Sequence, residues 1–514
     1  MSKLRVFCDV KLLLTRATTV SLLLLLTIVH TAFASSSSAR DDLSSLLLAF
    51  KYPDSLCGTA WRDEYAQLHR VIRQASREAA ARRAAAAAPA PAAAPAPSVA
   101  PAAVAGKAAA AGAGAGVAAA AAGAGAGVAA AAAGAAPANT SNSITATSTP
   151  PPAIRFFTFE WFVKCGGLGD TLLGLASSFV AAVLDRRALI INHKCIPIGF
   201  ESAGFIDWLP SDDVPMEILR TALPSETENV TEDGVLRFDL YNNMMPIEGF
   251  AKFSLAKNLR VKWNRGRLIH LFQKGKGPWA DAFRQMGLRP PYAVGCILRF
   301  LLRPKPEVWE QVRGIQREVR GEGMVTFGVH IRIPDEMVWE AGEGDPKPLN
   351  ATEMAAIEEI AQPMLDCAQA IQDWWYPSSV QVRWLVVSNS AHLKASLKDK
   401  YPDKVVVSPI LPRHSNKFVD AAAGLHFSEM PKYSNLTTFK DAYEHFAAES
   451  YRQLVADWLL LTMSHVFIIP ESGFSRTAVL YSFSTMKVYV PNGTACDPEA
   501  PEHLTYMAGR WSGV

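Results

Sequence analysis

Apolar and polar residues alternate along Met324 to Glu336: Val325, Phe327, Val329 and Ile331 are interleaved with Thr326, Gly328, His330 and Arg332 before Pro334 ends the run. A period of two predicts a strand with opposite faces. Apolar runs of similar length predict further strands over Phe156 to Val163, Ala188 to Asn192, Trp384 to Ser388, Val405 to Val407, Val466 to Ile469 and Lys487 to Val490. Between them, longer segments predict helices over Thr171 to Leu184, over Tyr443 to Leu461 and after Ser475. The strand at Phe156, the glycine-rich turn Cys165 to Asp170, the following helix and the strand at Ala188 make one βαβ unit, the signature of a parallel sheet. The pattern therefore predicts an α/β architecture of two Rossmann-type domains facing across a cleft, residues 153–315 and 316–490, with Gln311 to Gly321 as a polar bridge and 491–514 as a tail.

Outside this body the pattern changes. Trp61, Tyr65, Leu68 and Ile72 stand at helical spacing and predict an amphipathic helix within 35–78 that docks on the body. Residues 79–152 are Ala, Gly and Pro of low complexity. Ala-Pro repeats stiffen such a chain, Ala-Gly repeats loosen it, and recurrent glycine and proline argue against a long poly-alanine helix, so this tract reads as a stem or insertion. In residues 1–34, Lys3, Arg5, Lys11 and Arg16 precede an apolar run, and Ala32-Phe33-Ala34 resembles a cleavage site. This predicts entry to the secretory pathway, through a cleaved signal peptide or an uncleaved anchor. Five Asn-x-Ser/Thr triplets, at Asn139, Asn229, Asn350, Asn435 and Asn492, suit that compartment. So does an even set of cysteines beyond Cys8, although spacing alone leaves their pairing open. A formal net charge of +3 gives no case for nucleic acid as a partner.

Candidate chemistry collects at strand ends. Arg332 offers a permanent charge and five donors in a rigid fork suited to phosphate, with His330 and Asp335 beside it. Gly166, Gly167, Gly169 and Asp170 lie between a strand and a helix start, where free amides favour an anion. The dinucleotide fingerprint is excluded, because its third glycine would fall at Leu172. Ser472, Phe474, Ser475 and Arg476 open another helix after a strand; a serine-hydrolase elbow is excluded, since its second glycine would be Thr477. Ser388 and Asn389 follow a third strand. Together these loops predict one nucleotide pocket. No Cys-x-x-Cys, His-Glu-x-x-His or Asp-x-Asp element supplies metal ligands, so no metal is expected. Lys252 to Lys276 carries eight basic residues and no acid, with Phe253, Trp263 and Phe272 among them. A solvated face accounts for it more simply than a surface for an anionic polymer.

In their order these motifs resemble the plant xyloglucan-type fucosyltransferases, within the broader α1,2/α1,6/protein-O-fucosyltransferase superfamily. The resemblance is carried by Cys165 to Asp170 after a strand, by His330-x-Arg332-x-x-Asp335, and by Ala456 to Leu461 followed by Ser472 to Ser475. It implies a GT-B-like fold that binds GDP-fucose in the cleft and transfers fucose with inversion, without an essential metal or other cofactor, to a cell-wall polysaccharide or glycoprotein glycan. It also implies a Golgi membrane protein of type II, or a secreted one if the N-terminal segment is cleaved, with a homodimer left open. Arg332 would meet the departing β-phosphate, while His330 and Asp335 would orient Arg332 or the acceptor. The chain departs from the family at Asp170, where asparagine is usual, and at Ile333, where the α1,6 branch has a second arginine. A catalytically inactive relative that binds glycan or nucleotide as a surface module is the competing expectation.

Overall fold

A computed structural model describes residues 53–87, 153–161, 167–214, 235–240, 258–263, 277–288, 292–321, 323–338, 347–408, 439–483, 487–491 and 496–501. The expected signal or anchor, Gly166, most of the basic stretch, and the glycosylation triplets other than the one at Asn350 lie outside these residues. The chain divides into Met1–Ala80 with Ala153–Val514, which hold the folded body, and Ala81–Pro152. No helix among the described residues is long and apolar enough to cross a membrane.

Two parallel sheets form the body. The first has the order β2-β1-β5-β4, from β1 (Phe156–Trp161), β2 (Ala188–His193), β4 (Val235–Leu240) and β5 (Asn258–Trp263). The second has the order β11-β10-β7-β8-β9, from β7 (Met324–Ile331), β8 (Gln381–Ser388), β9 (Val405–Val407), β10 (Val466–Ile468) and β11 (Val488–Tyr489). A short antiparallel ribbon of β3 (Phe200–Ser202) and β6 (Leu302–Pro304) stands apart. This is the α/β architecture of two parallel-sheet halves that the pattern predicted.

The alternation along each strand decides which core it feeds. In β7, Phe327, Val329 and Ile331 face one way, joined by Trp384 and Val386 of β8 and by Val466 and Ile468 of β10. Helix α9 (Ala351–Trp375) and helix α10 (Ala391–Lys400) cover that face through Ile357, Leu365, Ile371, Leu393 and Leu397. On the opposite face, Leu385, Val387 and Phe467 enter a second core. That core continues through helix α11 (Phe439–Thr462) and helix α12 (Gly473–Ser482) to helix α3 (Leu168–Leu184) and to Phe157, Phe159, Leu189 and Ile191 of the first sheet. The two halves thus share an apolar core at the base of their cleft, which fixes the mutual position of helices far apart in sequence.

Three differences from the sequence reading have plain physical causes. Gln311 to Gly321 is not a bridge: residues through Val319 complete helix α7 (Pro306–Val319), which buries Val308, Trp309, Val312, Ile315 and Val319. Their i, i+4, i+7, i+11 stripe is obscured by the charges between them. Helix α2 (Ala60–Ala87), which follows the short α1 (Asp54–Cys57), runs beyond residue 78 into the low-complexity tract. Alanine is the best helix former and Pro89 is the first breaker, so the helix lasts until the proline approaches. Arg260 of the basic stretch is fully buried and bonds Glu160 through its Nε at 2.7 Å, so it belongs to no solvated face.

The N-terminal helix is part of the body. Trp61 and Tyr65 pack on Phe179 and on Phe300 of helix α6 (Ala293–Leu301), and the Tyr65 hydroxyl donates to the Arg187 carbonyl at 2.9 Å. A disulfide joins Cys57 to Cys296, and a second joins Cys367 of α9 to Cys496. Cys195 is also disulfide-bonded.

Candidate functional site

Helices α3 and α12 both begin at a glycine-led turn and their first residues touch. Gly167 is the N-cap of α3 and Ser472 that of α12, both in extended backbone and neither with a side-chain cap. A Cβ on Gly169 would fall well inside contact with the Gly473 carbonyl carbon and the Phe474 nitrogen. Glycine is required here because two backbones meet at that point. Two sets of uncapped amides, each at the positive end of a helix, therefore open at one place. Trp458 of α11 holds the arrangement from behind: it is fully buried and its indole donates to Thr477 Oγ1 of α12 at 3.1 Å.

A cavity of about 230 Å³ lies at this junction, lined by Gly167, Leu168, Gly169, Asp170, His330, Arg332, Val387, Ser388, Asn389, Leu454, Asp457, Ser472, Gly473 and Phe474. It opens where β7 and β8 end, the edge at which parallel α/β sheets bind ligands. Of the residues expected from sequence, Gly167, Gly169, Asp170, His330, Arg332, Ser388, Asn389, Ser472 and Phe474 are on its wall. Asp335, Ser475 and Arg476 are not. The Ser475 hydroxyl donates back to the Ser472 carbonyl at 3.3 Å, and Arg476 lies 3.6 Å from Glu471. Asp335 begins the short helix α8 (Asp335–Val338) and accepts from Arg332 at 2.7 Å. Asn389 is occupied with the backbone: it accepts from the Ile333 amide at 2.9 Å and donates to the Ile333 carbonyl at 2.8 Å, which fixes the turn carrying Arg332. Ile333 itself is fully buried in the apolar core of the second sheet. A second arginine at 333 has no place there.

The electrostatics divide the cavity in two. Arg332 and the two helix ends make one part electropositive. The Arg332 side chain is 37% exposed and its pair with Asp335 is a partly solvated one, which contributes about 0–1 kcal/mol and yields readily to a stronger anion. The other part holds two buried polar groups whose hydrogen-bonding capacity is unmet. His330 is held neutral by burial and by the Arg332 charge, its pKa pressed down to about 3. Its Nδ1 finds no hydrogen bond, and its ring lies 5.1 Å from Phe474. Asp457 is fully buried and neither carboxylate oxygen has a geometric hydrogen-bond partner, while Ser408 favours its charged form. Desolvation pushes the Asp457 carboxyl up to about 6, against the opposing pull of Lys394. Unmet buried polar atoms cost stability, and their presence on a cavity wall points to a ligand that meets them.

Asp457 did not emerge from the sequence as a site residue. The signal was there: it is the sole charge in Leu454 to Met463, a stretch otherwise apolar but for Thr462. Among the described residues no group of three or more His, Cys, Asp or Glu side chains is gathered as a metal site requires.

No family model and no curated protein matches this chain. Solved structures do. A mutant of Arabidopsis thaliana FUT1 in complex with GDP is similar at 16% identity over 66% of this chain and 71% of that one, with a TM-score of 0.44. The α-1,6-fucosyltransferase NodZ soaked with GDP-fucose is similar at 16% identity over 68% of this chain and 96% of that one, with a TM-score of 0.36. Fucosyltransferase NodZ from Bradyrhizobium is similar at 16% identity, 66% and 96% coverage and a TM-score of 0.35.

Proposed function

We propose that this chain is a glycosyltransferase that takes fucose from GDP-fucose and passes it, with inversion, to a glycan. One observation carries the reading: two touching helix N-termini and Arg332 create an anion site in the same cavity that buries the unbonded Asp457 carboxylate and His330 Nδ1. A diphosphate suits the first part. An ionised carboxylate offers two acceptors and no donor, which complements the adjacent N1–H and N2–H groups of guanine; uracil and adenine lack that pair of donors. The family resemblance of the motifs supplies fucose and inversion.

In this mechanism the acceptor hydroxyl oxygen attacks the anomeric carbon from the face opposite the diphosphate. The bond to the β-phosphate oxygen breaks, its electron pair stays with that oxygen, and the acceptor proton passes to solvent. Arg332 leaves Asp335 to neutralise the charge as it develops, aided by the amides at Gly169 and Gly473. His330 remains neutral and acts through a hydrogen bond, because a group with so low a pKa is a poor base. The positive charge assembled by the protein makes a metal unnecessary, so activity should survive chelation. The acceptor belongs to a cell-wall polysaccharide or a glycoprotein, and the basic and apolar pattern of the N-terminal segment supports a place in the secretory pathway, most simply the Golgi.

Thermal unfolding of the full chain with GDP, UDP and ADP tests the nucleotide. GDP should raise Tm and the others should not, because a ligand that binds only the native state stabilises it. Incubation with GDP-fucose and a panel of glycans, with and without EDTA, tests transfer, and Arg332→Ala should lower it by about 100-fold or more. Equal product from Arg332→Ala overturns the role of Arg332; a Tm indifferent to GDP overturns the nucleotide. The Arg332–Asp335 ion pair favours a second reading, a module that binds without catalysing. That reading predicts a Tm raised by a glycan and no fucosylated product.

A further inference from the structure

Of the Asn-x-Ser/Thr triplets, Asn350-Ala351-Thr352 is the one that lies within the described residues. Asn350 is the N-cap of α9, in extended backbone, and it is exposed, as are Ala351 and Thr352. Its side-chain amide is engaged on one side only. Oδ1 accepts from the Glu353 amide at 2.9 Å, and it is the Asn350 main-chain N–H that donates to Glu353 Oε2 at 3.0 Å. Nδ2 takes no part in the capping box and bonds to no described residue. We propose that Asn350 is a site of N-linked glycosylation, with Nδ2 as the atom that carries the oligosaccharide. The inference rests on the reading that the chain enters the secretory pathway.

In the transfer, Nδ2 forms a bond to the anomeric carbon of an oligosaccharide carried on a lipid diphosphate. The bond from that carbon to the diphosphate oxygen breaks, its electron pair leaves with the oxygen, and Nδ2 loses one proton. The product is a secondary amide whose Oδ1 is still an acceptor, so the bond that caps α9 survives the modification. Serine or aspartate would cap the helix as well, but neither offers a nitrogen to modify. The segment that bears the glycan is firmly held. The Lys347 N–H donates to the Val338 carbonyl at 2.9 Å, the Lys347 carbonyl lies 3.1 Å from His392 Nε2, and Leu349 packs on the core of the second sheet. A glycan is bulky and needs the surface, and the exposed start of α9 leaves it room.

The full chain, with its own N-terminal segment, should be produced in cultured human cells. Its peptides are then treated with peptide-N-glycosidase in heavy-oxygen water, which leaves a labelled aspartate wherever a glycan stood. Label at Asn350 is expected. Thr352→Ala breaks the triplet and keeps the cap, so it should abolish the label at Asn350 and make the chain run as one glycan smaller on a gel. Asn350→Asp should run the same way and fold, because aspartate caps as asparagine does. Label at other triplets and none at Asn350 overturns the proposal and leaves the secretory reading standing. Absence of label at every triplet also overturns the proposal, and if protease then reaches the chain from outside intact microsomes the secretory reading falls with it.

Discussion

Gly169 admits no larger residue, and the reason is a partner some three hundred residues away in sequence, Gly473. Gly169→Ala must separate two packed backbones, so it should cost about 1–3 kcal/mol in urea unfolding and remove the Tm response to GDP. Gly314 provides the contrast: it is exposed within α7, and a Cβ there meets nothing within 4 Å. Gly314→Ala should stabilise by about 0.5–1 kcal/mol. Asp170→Asn should tighten GDP binding, because it removes a negative charge from the wall that receives the diphosphate. Burial also holds His69, His193 and His330 neutral, with pKa values pressed to about 4, 3 and 3. The unfolded chain binds protons at these sites from its ordinary value of about 6.5 downward, and the folded chain does not, so stability should fall as pH drops from 7 towards 4. Asp457 works in the opposite sense, since its raised pKa favours the folded state as it protonates below about 6. Three groups oppose one. The urea midpoint should therefore decrease between pH 7 and pH 5, and a midpoint that rises would contradict the assignment.

At the scale of the element, the sequence was most legible where hydrophobic periodicity was simple. The strands at Phe156, Ala188, Val325, Trp384, Val405, Val466 and Val488 follow the apolar runs, because each is buried on both faces between helices. Helix α9 was missed, although Asn350 and Glu353 form a reciprocal capping box at its start; Pro363 inside it masks the pattern, and its apolar positions are spread along 25 residues. Asn350→Ala should cost about 1 kcal/mol through the lost cap, read as a lower urea midpoint with unchanged GDP affinity. Helix α7 was misread for a related reason: charged residues are as many as the buried ones that make it a helix of the core. Propensity and period describe one chain segment, while the depth of burial that rescues such helices comes from neighbours.

At the scale of the whole molecule, the N-terminal helix is tied to the body by the Cys57–Cys296 disulfide and by Trp61, Tyr65 and Ile72, all buried. A protein beginning at residue 153 loses all of them. It should unfold at a distinctly lower Tm than one beginning at residue 53, and the disulfide alone is worth about 2–5 kcal/mol. The outcome to the contrary is a truncated protein as stable as the longer one and equally responsive to GDP. The sequence by itself determined the parallel α/β class, the strand ends on which glycines and Arg332 stand, and the distinction between the body and the alanine-rich tract, because these depend on the order of side chains along the chain. Only the tertiary structure decided that α3 and α12 begin in contact, that Asp457 and His330 share a cavity with Arg332, and that Arg260 is buried against Glu160. Packing made those choices: a shared apolar core brings remote helices to one edge, and a charge acquires its partner and its pKa only once that core has formed.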